Sequence, residues 1–183
     1  MSDLRVHKTK YINETKRVSF KYDGKNYFGY EGDTLASALL ANGVHLIGRS
    51  FKYHRPRGIM SCGSEEPNAI CQISDKNDLT EPNVRATELE IYDGLEAFSQ
   101  NCWPNVKFDI GGINNLISPL IPAGFYYKTF MWPKSFWKKV YEPLIRMSAG
   151  LGKSPTEPDP DIYDHKYVHL SLIHISEPTR PNE

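Results

Sequence analysis

The sequence predicts an α+β fold, one short helix over one face of a mixed sheet, and three observations carry that prediction. Val18, Phe20 and Tyr22 alternate with Ser19 and Lys21, and residues 26–30 return after Asp23-Gly24, the strand period and positive-φ turn of a β-hairpin. Gly32-Asp33-Thr34 then offers a helix cap, Leu35, Ala38 and Leu39 share one helical face, and Gly43 stands where a left-handed residue ends a helix. Further on, residues 69–73 and the alternating Thr87-Glu88-Leu89-Glu90-Ile91 read as strands, the second with Glu88 and Glu90 on its wet face.

Taken in order, residues 1–15 are polar and follow neither period, which predicts an extended arm. The hairpin, helix and later strands fill residues 16–98, and their succession is the plan of a β-grasp domain. Residues 44–47 form a short apolar run that leads directly into a basic loop, so the loop is expected to be held on a frame. The composition changes from residue 99. Trp103-Pro104, Asn114-Asn115, Pro119, Pro122 and Gly124 punctuate residues 99–150. There Phe125, Tyr126, Tyr127, Phe130, Met131 and Trp132 predict an irregular aromatic-rich extension that covers the small domain or meets a partner. Ser135 offers an N-cap for a C-terminal helix with Phe136, Val140, Leu144 and Met147 on one face, kinked or split by Pro143 and stopped by Gly150. Residues 151–166 have the proline-rich, acidic composition of a linker, and residues 167–170 look like the opening of a new strand.

The chain's 22 basic and 22 acidic side chains cancel, which argues against a nucleic-acid arm, a polybasic membrane anchor or an acidic tail. The N-terminus lacks the apolar core of a signal peptide, and the most apolar run is broken by Pro119 and Pro122, so a cytoplasmic location without membrane contact is expected. Cys62, Cys71 and Cys102 are odd in number and lack a repeated metal spacing, which fits a reducing compartment.

Against this balance, residues 48–58 set Arg49, Lys52, Arg55 and Arg57 among Phe51, Tyr53 and His54, with no Asp or Glu between Asp33 and Glu65. Such a window is a local positive field, and its arginines grip carboxylate or phosphate at two points. These four cations are therefore the candidate binding residues, for a cofactor phosphate or an acidic partner face. The alternative is a solvated loop pinned by Phe51 and Tyr53. Glu65-Glu66 could pair with Arg55 or Arg57 across the loop, and His54, beside cations, reads more readily as a hydrogen-bonded loop residue than as a proton donor. No catalytic triad, phosphate-binding glycine loop or matched metal spacing is found, so no catalytic or metal residue is assigned. A stand-alone β-grasp interaction module and a small RNA-binding domain are the alternatives, the second weakened by the neutral charge.

Residues 32–43, the basic loop, residues 64–69 and the run Ala123-Gly124-Phe125-Tyr126-Tyr127-Lys128-Thr129-Phe130 together resemble the N-terminal region of the α subunit of heterotetrameric sarcosine oxidase, in unbroken order from about Arg17 to Leu170. The resemblance implies a subunit of a flavoenzyme complex that oxidises sarcosine to glycine. It implies FAD, FMN, NAD and tetrahydrofolate for the complete complex and none for this fragment. The implied partners are the remainder of the α subunit and the other subunits, and the fragment alone is expected to be inactive. The family's small domain is similar to plant-type ferredoxin, and some of its relatives carry a [2Fe-2S] cluster there. Such a cluster takes four thiolates, three in a tight loop and one distant, whereas the loop at residues 61–71 holds only Cys62 and Cys71. The resemblance therefore implies a domain that keeps the ferredoxin-like scaffold without its cluster.

Beyond residue 170, where the first strand of a truncated dinucleotide-binding domain is expected to open at residues 167–170, a Gly-rich phosphate loop should follow. Residues 170–180 instead match one reading frame of a transposase adapter used in DNA library preparation, so residues 171–183 are expected to be a non-native tail.

Overall fold

The computed structural model describes residues 4–5, 10–74, 80–120, 132–148 and 150–156, together with residues 158, 162, 164 and 165. β1 (Asn13–Tyr22) and β2 (Lys25–Glu31) form the antiparallel hairpin, turning at Asp23 (φ 47°) and Gly24 (φ 74°). Two successive positive φ angles match the right-handed twist of the flanking strands, which is why Asp-Gly serves here. α1 (Leu35–Ala41) starts at Thr34, whose hydroxyl accepts from the Ser37 amide at 3.2 Å, and the chain leaves it through Gly43 (φ 74°).

β5 (Ile70–Ser74), β6 (Thr80–Arg85) and β7 (Leu95–Ser99) complete a five-stranded sheet of order β2-β1-β7-β5-β6. β7 runs parallel to β1 and antiparallel to β5, so the sheet is mixed. β6 is an edge strand, where Pro82 can lack an amide without breaking a ladder. Phe20, Leu35, Leu39, Ile47 and Leu95 are fully buried where α1 lies on the sheet. Each such side chain contributes about 1.5–3 kcal/mol by leaving water.

Residues 87–91 are not the predicted strand. Residues 86–88 turn, and only Glu90 makes an isolated bridge, to Thr34. The reason lies at the start of α1, whose first amides have no partner inside the helix. The Leu35 amide donates to the Leu89 carbonyl and the Ala36 amide to the Ala86 carbonyl, both at 2.8 Å, so this segment crosses and caps the helix end. The sheet takes residues 95–99 in its place, and β6 was not foreseen. The N-terminal arm is also tied down where described: the Leu4 amide donates to the Ala41 carbonyl at 2.9 Å, and Arg5 pairs with buried Asp33.

Beyond the sheet come a 3-10 turn at Ile110–Gly112, a single-turn α2 (Ile113–Leu116) and a further 3-10 turn at Ser118–Leu120. Ser135 is not an N-cap. It lies inside a 3-10 turn (Lys134–Phe136) that follows Pro133 and leads through a wide π-type turn (Trp137–Tyr141) into α3 (Glu142–Ser148). Pro143 sits in the first turn of α3, where a helix needs no amide, so the proline divides the helical segment as its chemistry requires. The aromatic run at residues 125–131, the expected strand at 167–170 and the tail at 171–183 lie outside the described residues.

Candidate functional site

The basic loop is a two-stranded ribbon, β3 (Gly48–Arg49) against β4 (Pro56–Arg57). Its tip is closed by the Ser50 amide donating to the Arg55 carbonyl at 2.9 Å and the His54 amide to the Ser50 carbonyl at 3.0 Å. This tight turn puts His54 in the left-handed region, with φ 52°. The Ile47 amide, donating to the Arg57 carbonyl at 3.0 Å, roots the ribbon in the core, as the apolar run at residues 44–47 led one to expect.

The four candidate cations share this ribbon but not one role. Arg49 turns inward, donating to the carbonyls of Val106 (2.8 Å), Lys107 (3.1 Å) and His54 (3.2 Å), and so ties the ribbon to the extension. Arg55 donates to Asn115 Oδ1 at 2.8 Å. Lys52 Nζ and the Arg55 guanidinium each lie 4.9 Å from the centre of the Tyr53 ring, a cation–π arrangement that organises both charges around one aromatic. Arg57 is exposed on β4.

The window that is acid-free in sequence is not acid-free in space. Asp109 reaches back from the extension, and its Oδ2 lies 2.6 Å from His54 Nδ1. Its other oxygen accepts from the amides of Trp103 (3.0 Å) and Gly111 (3.2 Å), and its side chain is only 1% exposed. Because a carboxylate only accepts, His54 donates from Nδ1 in this contact. The ring lies over Gly111, where an added Cβ would fall 2.3 Å from Nδ1, so the close approach requires glycine. A cleft of ≈ 1160 Å³ opens beside this pair, between the ribbon and the extension, with Lys52, Asn101, Cys102 and Leu144 among its walls. The arrangement can hold an acceptor or an anion against fixed donors, and it offers one oriented imidazole.

A second charged centre lies in the loop between β4 and β5. Glu66 does not pair with Arg55 or Arg57. It is 1% exposed, and its two oxygens accept from four backbone amides: Oε2 from Met60 (2.7 Å) and Ser61 (2.6 Å), Oε1 from Asn68 (2.7 Å) and Ala69 (3.2 Å). Burial works to raise its pKa, but the four hydrogen bonds outweigh it and hold the carboxyl below the ordinary value of 4.5. Among the described residues, the Ser61 hydroxyl beside it is buried without a partner.

The cysteines stand apart from this loop's centre. Cys71 is buried in β5, its thiol pushed up to about 12, first by burial. Cys102, 3.3 Å from the Ser99 hydroxyl, is raised by its partial burial, and Cys62 is exposed. Among the described residues no group of three or more His, Cys, Asp or Glu could hold a metal ion, and no helix is long and apolar enough to cross a membrane. Reading the sequence alone missed Asp109 and the role of Glu66. For Asp109 no local signal exists. For Glu66 one does: Ser61, Glu66 and Ala69 repeat the x4, x2 spacing of a plant-type cluster loop.

Residues 15–102 match the family described as 2Fe-2S iron-sulfur cluster binding domain. The chain is 55% identical over 175 residues to the sarcosine oxidase subunit alpha of Rhizobium meliloti (strain 1021), an alignment covering 96% of this chain and 18% of that relative. Against the sarcosine oxidase subunit alpha of Corynebacterium sp. (strain U-96) it is 41% identical over 88 residues, 47% of this chain and 9% of the other. A solved L-proline dehydrogenase from P. horikoshii aligns at 24% identity with a TM-score of 0.37, over 51% of this chain and 17% of that one, too distant to carry an argument. The chain thus spans under a fifth of the length of the curated relatives it matches.

The donor set does not fit the cluster that the family's description names. At the spacing of the three clustered thiolates stand a hydroxyl, a carboxylate and a methyl group, and the amides that converge on the middle position already hold Glu66.

Proposed function

We propose, from the premise that this chain is a relative of the sarcosine oxidase alpha subunit, that it is the N-terminal part of such a subunit and acts there as scaffold and interface. The 55% identity sustained over 96% of the chain carries this reading. On it, the complete flavoenzyme oxidises sarcosine or a related secondary amine, with FAD, FMN, NAD and tetrahydrofolate bound elsewhere in the assembly. This chain's ribbon is a docking element. Arg49, its guanidinium held by three carbonyls, and the His54–Asp109 pair fix the ribbon's backbone. Lys52, Arg55 and Arg57 then meet a cofactor phosphate or an acidic face of a neighbouring subunit. Large apolar side chains on the extension, Leu116 (80% exposed), Leu120 (78%) and Trp132 (82%), support a further contact with the rest of the polypeptide.

The test is made in the assembled enzyme. Arg55→Ala with Arg57→Ala should weaken subunit association or lower cofactor content while leaving the chain folded. Unaltered assembly, cofactor content and turnover would reduce the ribbon to a solvated loop.

A further inference from the structure

We infer that the Glu66 carboxylate is a built-in anion that takes the place of a metal cluster in this loop, so that a nest of backbone amides shaped for negative charge is filled by the chain itself. Three observations converge on it. Ser61, Glu66 and Ala69 have the spacing that plant-type loops give their three clustered thiolates. The fold brings these three positions to one point, since the amides of Ser61 and Ala69 both donate to the carboxylate of Glu66. The Ser61 hydroxyl, at the first of these positions, is buried without a partner among the described residues, a polar group that the loop's own hydrogen bonds leave unanswered.

The energetics explain why a carboxylate suits this place. Amides that point into a buried centre must be satisfied, and each one left without an acceptor destabilises the fold. A cluster with thiolate ligands would answer them with negative charge on sulfur. Glu66 answers with two oxygens, two amides to each, which uses all four lone-pair directions of the carboxylate. Arg55 and Arg57 are not needed for charge balance here, because amide dipoles neutralise the anion as they do in other nests. Around the centre the loop is braced independently: the Thr87 hydroxyl donates to the Gly63 carbonyl at 2.8 Å, and the Glu66 amide to the same carbonyl at 3.1 Å. The loop therefore keeps its shape without metal, and what it binds is its own side chain.

Chemical rescue tests this in the full chain. Glu66→Ala should lower the melting midpoint by about 10 °C or more, since it orphans four amides. Formate, a carboxylate small enough for the vacated space, should raise the midpoint of Glu66→Ala with concentration and leave the wild type unmoved. Iron and sulfide should give the wild type no cluster absorption. Equal midpoints for variant and wild type, an equal formate effect on both, or a [2Fe-2S] spectrum from the wild type would each overturn the inference. Should Glu66→Ala fail to fold, Glu66→Gln serves through hydrogen exchange. Its side-chain NH₂ faces one of the two amide pairs, so faster exchange is expected at Met60 and Ser61 or at Asn68 and Ala69, and unchanged protection at all four overturns it.

Discussion

Asp109 is the residue by which the extension holds the basic ribbon, and two substitutions there separate its charge from its shape. Asp109→Asn keeps an oxygen for the Trp103 and Gly111 amides but turns an NH₂ toward His54, whose Nδ1 must then accept instead of donate. A neutral hydrogen bond replaces a charge-assisted one, a loss of about 1 kcal/mol. Asp109→Ala removes all three interactions from a side chain that is 1% exposed. Orphaned buried donors cost about 1–3 kcal/mol each, so with partial access of water the total is about 3–5 kcal/mol. Urea denaturation at pH 7 supplies the two free energies, and ¹⁵N chemical shifts of His54 report the tautomer. If Asp109→Ala destabilises no more than Asp109→Asn, or both fall within about 0.5 kcal/mol of wild type, the pair is a surface contact and not a clamp.

Two further outcomes follow from the titrating groups. The Glu66 carboxyl is held below its ordinary 4.5 in the folded chain, so its stabilisation is full above that value and is lost as pH falls through the lower folded value. Denaturation midpoints should therefore drop between pH 5 and lower pH less steeply in Glu66→Gln than in wild type, and parallel profiles would contradict this. At pH 8 a thiol reagent should label exposed Cys62 first and leave Cys71 untouched, since burial both hides its thiol and pushes it up to about 12. Mass spectrometry that finds Cys71 labelled in folded protein would show that β5 opens.

What the sequence made legible was local. The hairpin, the Thr34 cap and the Gly43 exit each depend on residues within a few positions of one another, and all three stand as predicted. Residues 87–91 misled because a segment lying across a helix end is wetted on one side and packed on the other, as a strand is. The alternation records that half-burial and not the partner. The ribbon was legible as a framed loop, but the inward turn of Arg49 and the arrival of Asp109, 55 residues from His54, were not. For Glu66 the sequence offers an ion pair with Arg55 or Arg57 only as one possibility, and its true partners are backbone amides, which every residue but proline carries and which leave no trace in the residue letters.

The place of β7 has a mechanical consequence. Among the described residues it is the last strand, yet it lies third of five in the sheet, joining one hairpin (β1–β2) to the other (β5–β6). The polypeptide that continues beyond Ser99 is thus attached to the middle of the sheet. A pull from that side loads the ladders to β1 and β5 together and must shear both rows at once, whereas a terminal edge strand would peel away one bond at a time. A tether rooted in this way transmits force into the whole domain before any strand comes loose.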